Sequence, residues 1–123
     1  MKIISNNPLV QEKYPSQTEY IDSDVKTVLI KARDYIHLGA KLLNHPLSGT
    51  LPYGEAVYSS LVIKEQDTHS GVVTDFYSLA FIDDAIAKFN EPPKRNRNYD
   101  TQTLEDLKVL DFDMLNNCIQ KLQ

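Results

Sequence analysis

One short run of apolar residues most limits what this chain can fold into. Residues 57–63 are rich in β-branched and aromatic side chains, and the last three, Leu61, Val62 and Ile63, are apolar on both faces of an extended strand. A strand with one face in water alternates apolar and polar residues, whereas a strand covered on both faces does not. The run therefore predicts an interior strand of a sheet that has helices packed on its faces.

Short strand-like and helical segments alternate before this run. Ile3 and Ile4 predict a first strand, which stops at Asn6-Asn7-Pro8. Asn is a favoured helix N-cap and Pro a favoured first helical residue, so a short helix over residues 9–14 follows, and residues 18–21 predict a second strand. This is the outline of a βαβ unit. Its connection is short for a parallel crossover, so an antiparallel pairing stays open.

The strongest helical periodicity in the chain begins at Val25, after Asp22 or Ser23 as the N-cap, and continues to Leu43. The expected helix closes at Asn44-His45-Pro46, because the residue before a proline is biased away from helical angles. This helix is expected to cover one face of the sheet.

The second half of the chain predicts further helices. After a possible short strand at Val72 and Val73, Thr74 or Asp75 caps a helix that ends before Pro92. Its expected apolar face consists of Phe76, Leu79, Ala80, Ile82, Ile86 and Phe89. A last helical region starts near residue 103, with a break near Phe112 and a restart at Asp111 or Asp113.

The order of these elements predicts an α/β fold. We expect a small three- to four-stranded parallel or mixed sheet with helices packed on its faces, in a Rossmann-like three-layer arrangement. A chain of 123 residues supports one hydrophobic core, so residues 1–123 form a single domain. A solvated linker is expected near residues 91–101, where Lys94, Arg95 and Arg97 follow two prolines.

Composition excludes several classes of function. A net charge of −4 opposes binding to nucleic acid, which depends on many cations. No apolar run approaches the roughly 20 residues that span a bilayer, and the N-terminus has no secretory signal. The single cysteine, Cys118, fits a reducing compartment, so we expect a cytoplasmic protein in which this thiol is buried and inert. The sequence leaves open whether the chain forms a homodimer.

One loop concentrates the residues that can carry chemistry. His45 can act as acid or base near neutral pH, and Ser48, Gly49 and Thr50 can offer hydroxyls and backbone N–H groups to an anion, with Tyr53 close behind. The structural alternative is that His45 only closes the preceding helix and the glycine only shapes the turn. No complete catalytic motif accompanies them.

A second candidate position is the end of the first strand, where open α/β sheets usually bind ligands. Asn6 and Asn7 lie there, although a plain N-cap is the alternative for Asn7. The two candidate positions converge only if the strand over residues 57–63 is antiparallel to the first, or if a loop returns. We expect no cofactor or metal, because Asp83, Asp84, Asp111 and Asp113 lack a third ligand at metal spacing and should face water.

Three stretches resemble the GrdX family. The first is the opening, residues 2–14, around Asn6-Asn7-Pro8. The second runs over residues 28–50 and includes His45-Pro46-Leu47-Ser48-Gly49-Thr50, with Tyr58-Ser59-Ser60 after it. The third is weaker: Ser78-Leu79, Ile82, Ala85-Ile86, Leu107 and Asp111. Members of this family are encoded beside the glycine, sarcosine and betaine reductase genes of anaerobic bacteria that ferment amino acids.

The resemblance implies an accessory role in that reductase system and supplies no catalytic residues. We expect a protein that binds a reductase component or a small anionic metabolite and is not itself an enzyme. The alternative is a small enzyme that acts on a carboxylate or acyl-phosphate metabolite, with His45 as acid or base.

Overall fold

A computed structural model describes residues 1–44, 56–66, 71, 73–90 and 99–122. In these ranges the chain forms four strands and four helices. Their order is β1 (Lys2–Ser5), α1 (Pro8–Lys13), β2 (Thr18–Tyr20), α2 (Val25–His37), β3 (Lys41–Leu42), β4 (Ser60–Lys64), α3 (Phe76–Asn90) and α4 (Thr101–Leu122).

The four strands form one mixed sheet in the order β2-β1-β4-β3. β1 and β2 are parallel, which confirms the βαβ unit and settles the question that its short connection left open. β4 lies inside the sheet, as its apolar run predicts, and is antiparallel to both β1 and β3. The fold therefore resembles a Rossmann-like arrangement in its parallel βαβ unit and in having helices on both faces of the sheet. It differs in that the sheet is mixed and not all parallel.

Each face of the sheet carries its own hydrophobic core. Ile4, Leu61 and Ile63 pack against α2 and α3, whereas the alternate positions Ile3 and Val62 pack against α1 and α4. Successive side chains of a strand point to opposite faces, so one apolar strand supplies both cores. All five side chains are at most 1% exposed, and each such burial is worth about 1.5–3 kcal/mol.

The helix predicted to reach Leu43 ends earlier, at His37. Gly39 has φ 103°, its N–H donates to Ile36 O, and the N–H of Ala40 donates to Tyr35 O. This pattern is a Schellman cap, which turns the chain out of the helix and frees Lys41 and Leu42 to pair with β4. The N-cap also differs from the prediction. It is Asp24, whose side chain accepts from the N–H of Thr27.

The predicted break in the C-terminal region is wrong, because α4 is continuous through Asp111 and Asp113. Phe112 does not interrupt the helix but packs on Tyr14, with ring centroids 6.1 Å apart. The helix instead continues without a break, and Leu115 and Ile119 lie on its buried face.

The helix predicted after Thr74 or Asp75 is confirmed as α3, but its apolar face is narrower than expected. Ser78, Ile82, Ala85 and Ile86 are buried, whereas Phe76 and Ala80 are exposed. Val73 is 80% exposed and forms no strand, and Val72 lies outside the described residues. Most of the predicted linker, residues 91–98, also lies outside them. No helix in the described part of the chain is long and apolar enough to cross a membrane.

Candidate functional site

The antiparallel pairing of β1 with β4 brings polar residues together at one end of the sheet. β1 ends at Ser5 and β4 begins at Ser60, and these two residues are direct partners across the strands. Their hydroxyl oxygens are 2.7 Å apart. We call this end of the sheet the β1–β4 edge.

Asn6, the first residue after β1, links three backbone segments at this edge. Its side-chain amide donates to Ser23 O at 3.0 Å and Val57 O at 2.9 Å, and its Oδ1 accepts from the N–H of Ser59 at 2.9 Å. Asn6 therefore positions both the start of α2 and the approach to β4. Its predicted contact with a ligand stays a prediction.

Asn7 is the N-cap of α1, as the structural alternative for this residue predicted. Its Oδ1 accepts from the N–H of Leu9 at 3.1 Å. Its side-chain amide is turned the other way and donates to Lys108 O at 2.9 Å and to Asp111 Oδ2 at 3.0 Å, both in α4. One fully buried side chain therefore caps one helix and holds another.

Ser5, Asn7, Ser60 and Asp111 form a hydrogen-bonded group that we call the polar cluster. Asp111 Oδ2 accepts from the Ser60 hydroxyl at 2.6 Å as well as from Asn7. Because Ser60 uses its proton on Asp111, Ser5 donates to Ser60. The N–H of Asn7 in turn donates to Ser5 Oγ at 2.9 Å. Two donors, the Ser60 hydroxyl and the Asn7 amide, thus meet at one carboxyl oxygen, and Ser5 supports Ser60 from behind.

Removal from water raises the pKa of Asp111 above its usual value, and the hydrogen bonds from Ser60 and Asn7 only partly oppose that rise. The expectation that Asp111 faces water is therefore wrong. The signal was present in the sequence: Asp111 is four residues from Leu107 and from Leu115, and Ile119 follows at the same spacing. In a continuous helix these positions share one face, but the predicted break concealed it.

A lysine lies one turn before Asp111. Lys108 Nζ is 2.8 Å from Glu105 Oε1, and this hydrogen bond is the main cause of a raised pKa for Lys108. The backbone oxygen of Lys108 accepts from the side-chain amide of Asn7. Lys108 thus places a cation, paired with Glu105, on the turn of α4 that precedes Asp111.

The helix that supplies Lys108 is the longest of the four described helices. α4 has 22 residues, a length of about 33 Å. After Asp111 it covers the sheet, where Leu115 and Ile119 are buried and Asn116 Oδ1 accepts from Tyr14 Oη at 2.5 Å. At Lys108 and Asp111 it accepts hydrogen bonds from Asn7, the N-cap of α1.

The predicted loop candidates His45, Ser48, Gly49, Thr50 and Tyr53 lie outside the described residues. The chain on either side of them is anchored at the β1–β4 edge. Asn44 donates to Ser60 O at 2.9 Å and accepts from the N–H of Val62 at 2.8 Å, and Val57 O accepts from Asn6. Since β4 is antiparallel to β1, the strand direction that convergence with Asn6 required is present.

Cys118 lies on the same helix but away from this edge. It is partly buried, and burial raises the pKa of its thiol, which favours the unreactive protonated form. Within the described ranges, no three His, Cys, Asp or Glu side chains lie together as metal ligands would.

The fold and site define a small mixed-sheet α/β domain with a buried polar cluster at the end of its first strand. The family model described as GrdX-like protein matches residues 2–120, and the chain belongs to this family. No curated protein and no solved structure gave a significant match. Asn7, Ser60 and Asp111, which come from the three separate stretches of family resemblance, meet in the polar cluster.

Proposed function

We propose that this chain is a cytoplasmic accessory protein of the glycine, sarcosine and betaine reductase system, and that it binds a reductase component or a small anionic metabolite at the β1–β4 edge. Membership of the GrdX-like family supports the link to the reductase system. The observation that carries the choice of site is the meeting of Asn7, Ser60 and Asp111, contributed by three distant parts of the chain.

The position of the edge supports a binding role. Ligands of open α/β sheets usually lie beyond the carboxyl ends of strands, and Asn6 and Asn7 follow the carboxyl end of β1. Lys108, whose backbone oxygen accepts from Asn7, supplies a cation one turn from Asp111. The segment with His45 and Ser48 leaves from Asn44, which is bonded to β4 at the same edge.

The properties of Cys118 support an accessory role over a redox role. A catalytic thiol is usually a low-pKa group in a positively charged, accessible setting. Burial instead raises the pKa of Cys118, and only Lys121 opposes that effect. A thiol that stays protonated is a poor nucleophile toward a disulfide or an acyl group.

A tagged pull-down from an anaerobe grown on glycine tests the proposal. Wild type is compared with Lys108→Glu, which reverses the charge at the β1–β4 edge, and with Lys121→Glu, which makes the same change in the last turn of the same helix. We expect reductase subunits to be enriched by wild type and Lys121→Glu but not by Lys108→Glu. Equal enrichment by all three proteins would mean that the binding surface is not at the β1–β4 edge. No enrichment by any of them would contradict binding to a reductase component.

A small enzyme is the second candidate, and the anchoring of the His45 segment favours it. Asn44 and Val57, on either side of that segment, are both hydrogen-bonded at the edge that holds the Asp111 carboxyl. An acid or base in the segment would therefore be attached next to a partly buried carboxyl group. Turnover of acetyl phosphate by the purified protein, lost in a folded His45→Ala variant, would establish this candidate. Absence of turnover with retained partner binding would exclude it.

A further inference from the structure

The two oxygens of Asp111 have different surroundings. Oδ2 accepts from Ser60 Oγ at 2.6 Å and from Asn7 Nδ2 at 3.0 Å. No residue in the described part of the chain donates a hydrogen bond to Oδ1. The polar cluster therefore holds Oδ2 in place, and Oδ1 takes no part in its hydrogen bonds.

This asymmetry decides where a proton on Asp111 resides. A proton on Oδ2 would require Ser60 to give up its donation and turn its hydroxyl toward Ser5. Ser5 already accepts from the N–H of Asn7, and its own proton would lose the acceptor that Ser60 provides. A proton on Oδ1 leaves every bond of the polar cluster unchanged, since Oδ2 remains an acceptor.

We propose that Asp111 binds an anionic group of a ligand as a neutral carboxylic acid, with Oδ1–H as the donor, so that the ligand and one proton are taken up together. This inference rests on the proposed binding of a small anionic ligand at the β1–β4 edge, and it identifies the ligand class as a carboxylate or another oxyanion. A carboxylic acid held neutral by its surroundings is a strong hydrogen-bond donor to anionic oxygen.

The charges around the site agree with this role. The charged pair Lys108 and Glu105, whose Nζ and Oε1 atoms are 2.8 Å apart, precedes Asp111 on α4. Burial is the main cause that raises the pKa of Asp111, and none of these charges contributes to that rise.

The Asp111→Asn variant is a direct mimic of the neutral acid. Its side-chain oxygen can accept from Ser60 and Asn7, and its amide nitrogen can donate from the position of Oδ1. Asp111→Ala removes both functions. Repulsion by an ionised Asp111 would also weaken anion binding at high pH, so the comparison of Asp111→Asn with Asp111→Ala, both uncharged, tests the hydrogen-bond donor itself.

The experiment uses the full chain with acetate as the probe and chloride at equal ionic strength as the control. The pKa of the Asp111 carboxyl is followed by carbon NMR, and acetate affinity is measured from pH 5.5 upward. We expect acetate to raise the pKa of Asp111. Above that pKa, the wild-type affinity should fall about tenfold per pH unit, because only the protonated fraction binds.

Asp111→Asn should bind acetate with an affinity that does not change with pH, and Asp111→Ala should bind much more weakly while keeping a folded amide spectrum. The inference is overturned if acetate leaves the pKa of Asp111 unchanged, if Asp111→Asn loses binding, or if Asp111→Asn keeps the wild-type pH dependence, as it would if His45 were the titrating group. These readouts do not involve a reductase subunit, so they can succeed or fail independently of the pull-down.

Discussion

Asn7 and Asp111 are 104 positions apart in the chain, yet the Asn7 side-chain amide donates to Asp111 Oδ2 across 3.0 Å. The same amide donates to Lys108 O, while its oxygen caps α1. Since Asn7 is fully buried, a group that loses one of these hydrogen bonds cannot replace it with a bond to water. The start of α1 and the middle of α4 are therefore held by one side chain, and only an amide can do both tasks.

Replacement of Asn7 by Asp should be strongly destabilising although the two side chains have the same shape. Asp keeps an oxygen for the N–H of Leu9 but loses both donors to α4, and it places a second carboxyl group beside Asp111. We expect a loss of about 3 kcal/mol or more in the free energy of unfolding at pH 7, measured by urea denaturation.

Asn7→Ser is the matched control for this prediction. Serine retains the cap but brings no charge, so we expect it to lose less stability than Asp. An Asn7→Asp protein as stable as wild type at pH 7 would contradict the hydrogen bonds described for α4.

The pH dependence of stability should differ between wild type and Asp111→Asn. Burial raises the pKa of Asp111 in the folded protein above its ordinary value of 3.8. Between these two values the folded protein holds a proton that the unfolded chain has released, so the free energy of unfolding falls as the pH rises. Asp111→Asn has no such proton to hold. Its free energy of unfolding should therefore rise relative to that of wild type as the pH rises between the two pKa values.

Urea denaturation at a series of pH values measures the free energy of unfolding of both proteins. The other carboxylates are the same in the two proteins, so their contributions cancel when one free energy is subtracted from the other. Below the ordinary value of 3.8 the relative stability of the two proteins should not change with pH through Asp111. If Asp111→Asn instead loses stability relative to wild type as the pH rises, the polar cluster stabilises the ionised carboxylate.

Much of the fold was predictable because its signals are local. The apolar run that ends in Leu61, Val62 and Ile63 placed an interior strand, and Asn7-Pro8 placed the start of α1. The end of α2 was missed because Leu43 fits the helical period, whereas the chain leaves the helix at Gly39 and forms β3. Periodicity alone cannot show that a glycine will take a positive φ once a neighbouring strand offers hydrogen bonds.

The site was less predictable, because its members come from distant parts of the chain. Asn6 and Asn7 were identified from their place after a strand, but their partners Val57, Ser59 and Asp111 depend on the antiparallel register of β4 and on the path of α4. A hydrophilic residue in a helix normally faces water, so Asp111 was assigned to the surface. Only the unbroken spacing from Leu107 to Ile119 argues otherwise.

Replacement of Gly39 by Ala should destabilise the end of α2. Gly39 has φ 103°, where a Cβ is strained, and it forms the Schellman cap with Ile36 O as acceptor. We expect a loss of about 1 kcal/mol or more in the free energy of unfolding. Leu38→Ala is the matched control, since Leu38 has φ −87° and is 64% exposed, and it should change stability by less than about 0.5 kcal/mol. Equal effects at the two positions would rule out backbone strain as the cause.

Tyr35 joins charged residues at the end of the sheet opposite the polar cluster. Its hydroxyl accepts from Lys2 Nζ at 3.0 Å and donates to Glu19 Oε1 at 2.5 Å, and the ammonium groups of Lys2 and Lys31 lie 4.6 and 5.6 Å from its ring centre. Tyr35→Phe keeps the ring and both cation–π contacts but removes the hydroxyl. We expect a loss of about 1 kcal/mol in the free energy of unfolding.

The same substitution should lower the pKa of Lys2, because the hydrogen bond to Tyr35 is the main cause that raises it above 10.5. Nitrogen NMR of the Lys2 ammonium group measures this change. Tyr77→Phe is the matched control: it deletes the same hydroxyl from a side chain that is 80% exposed on α3, and both the stability and the pKa of Lys2 should stay at their wild-type values. An unchanged pKa of Lys2 in Tyr35→Phe would show that Glu65, 3.1 Å from Lys2 Nζ, holds the ammonium group by itself.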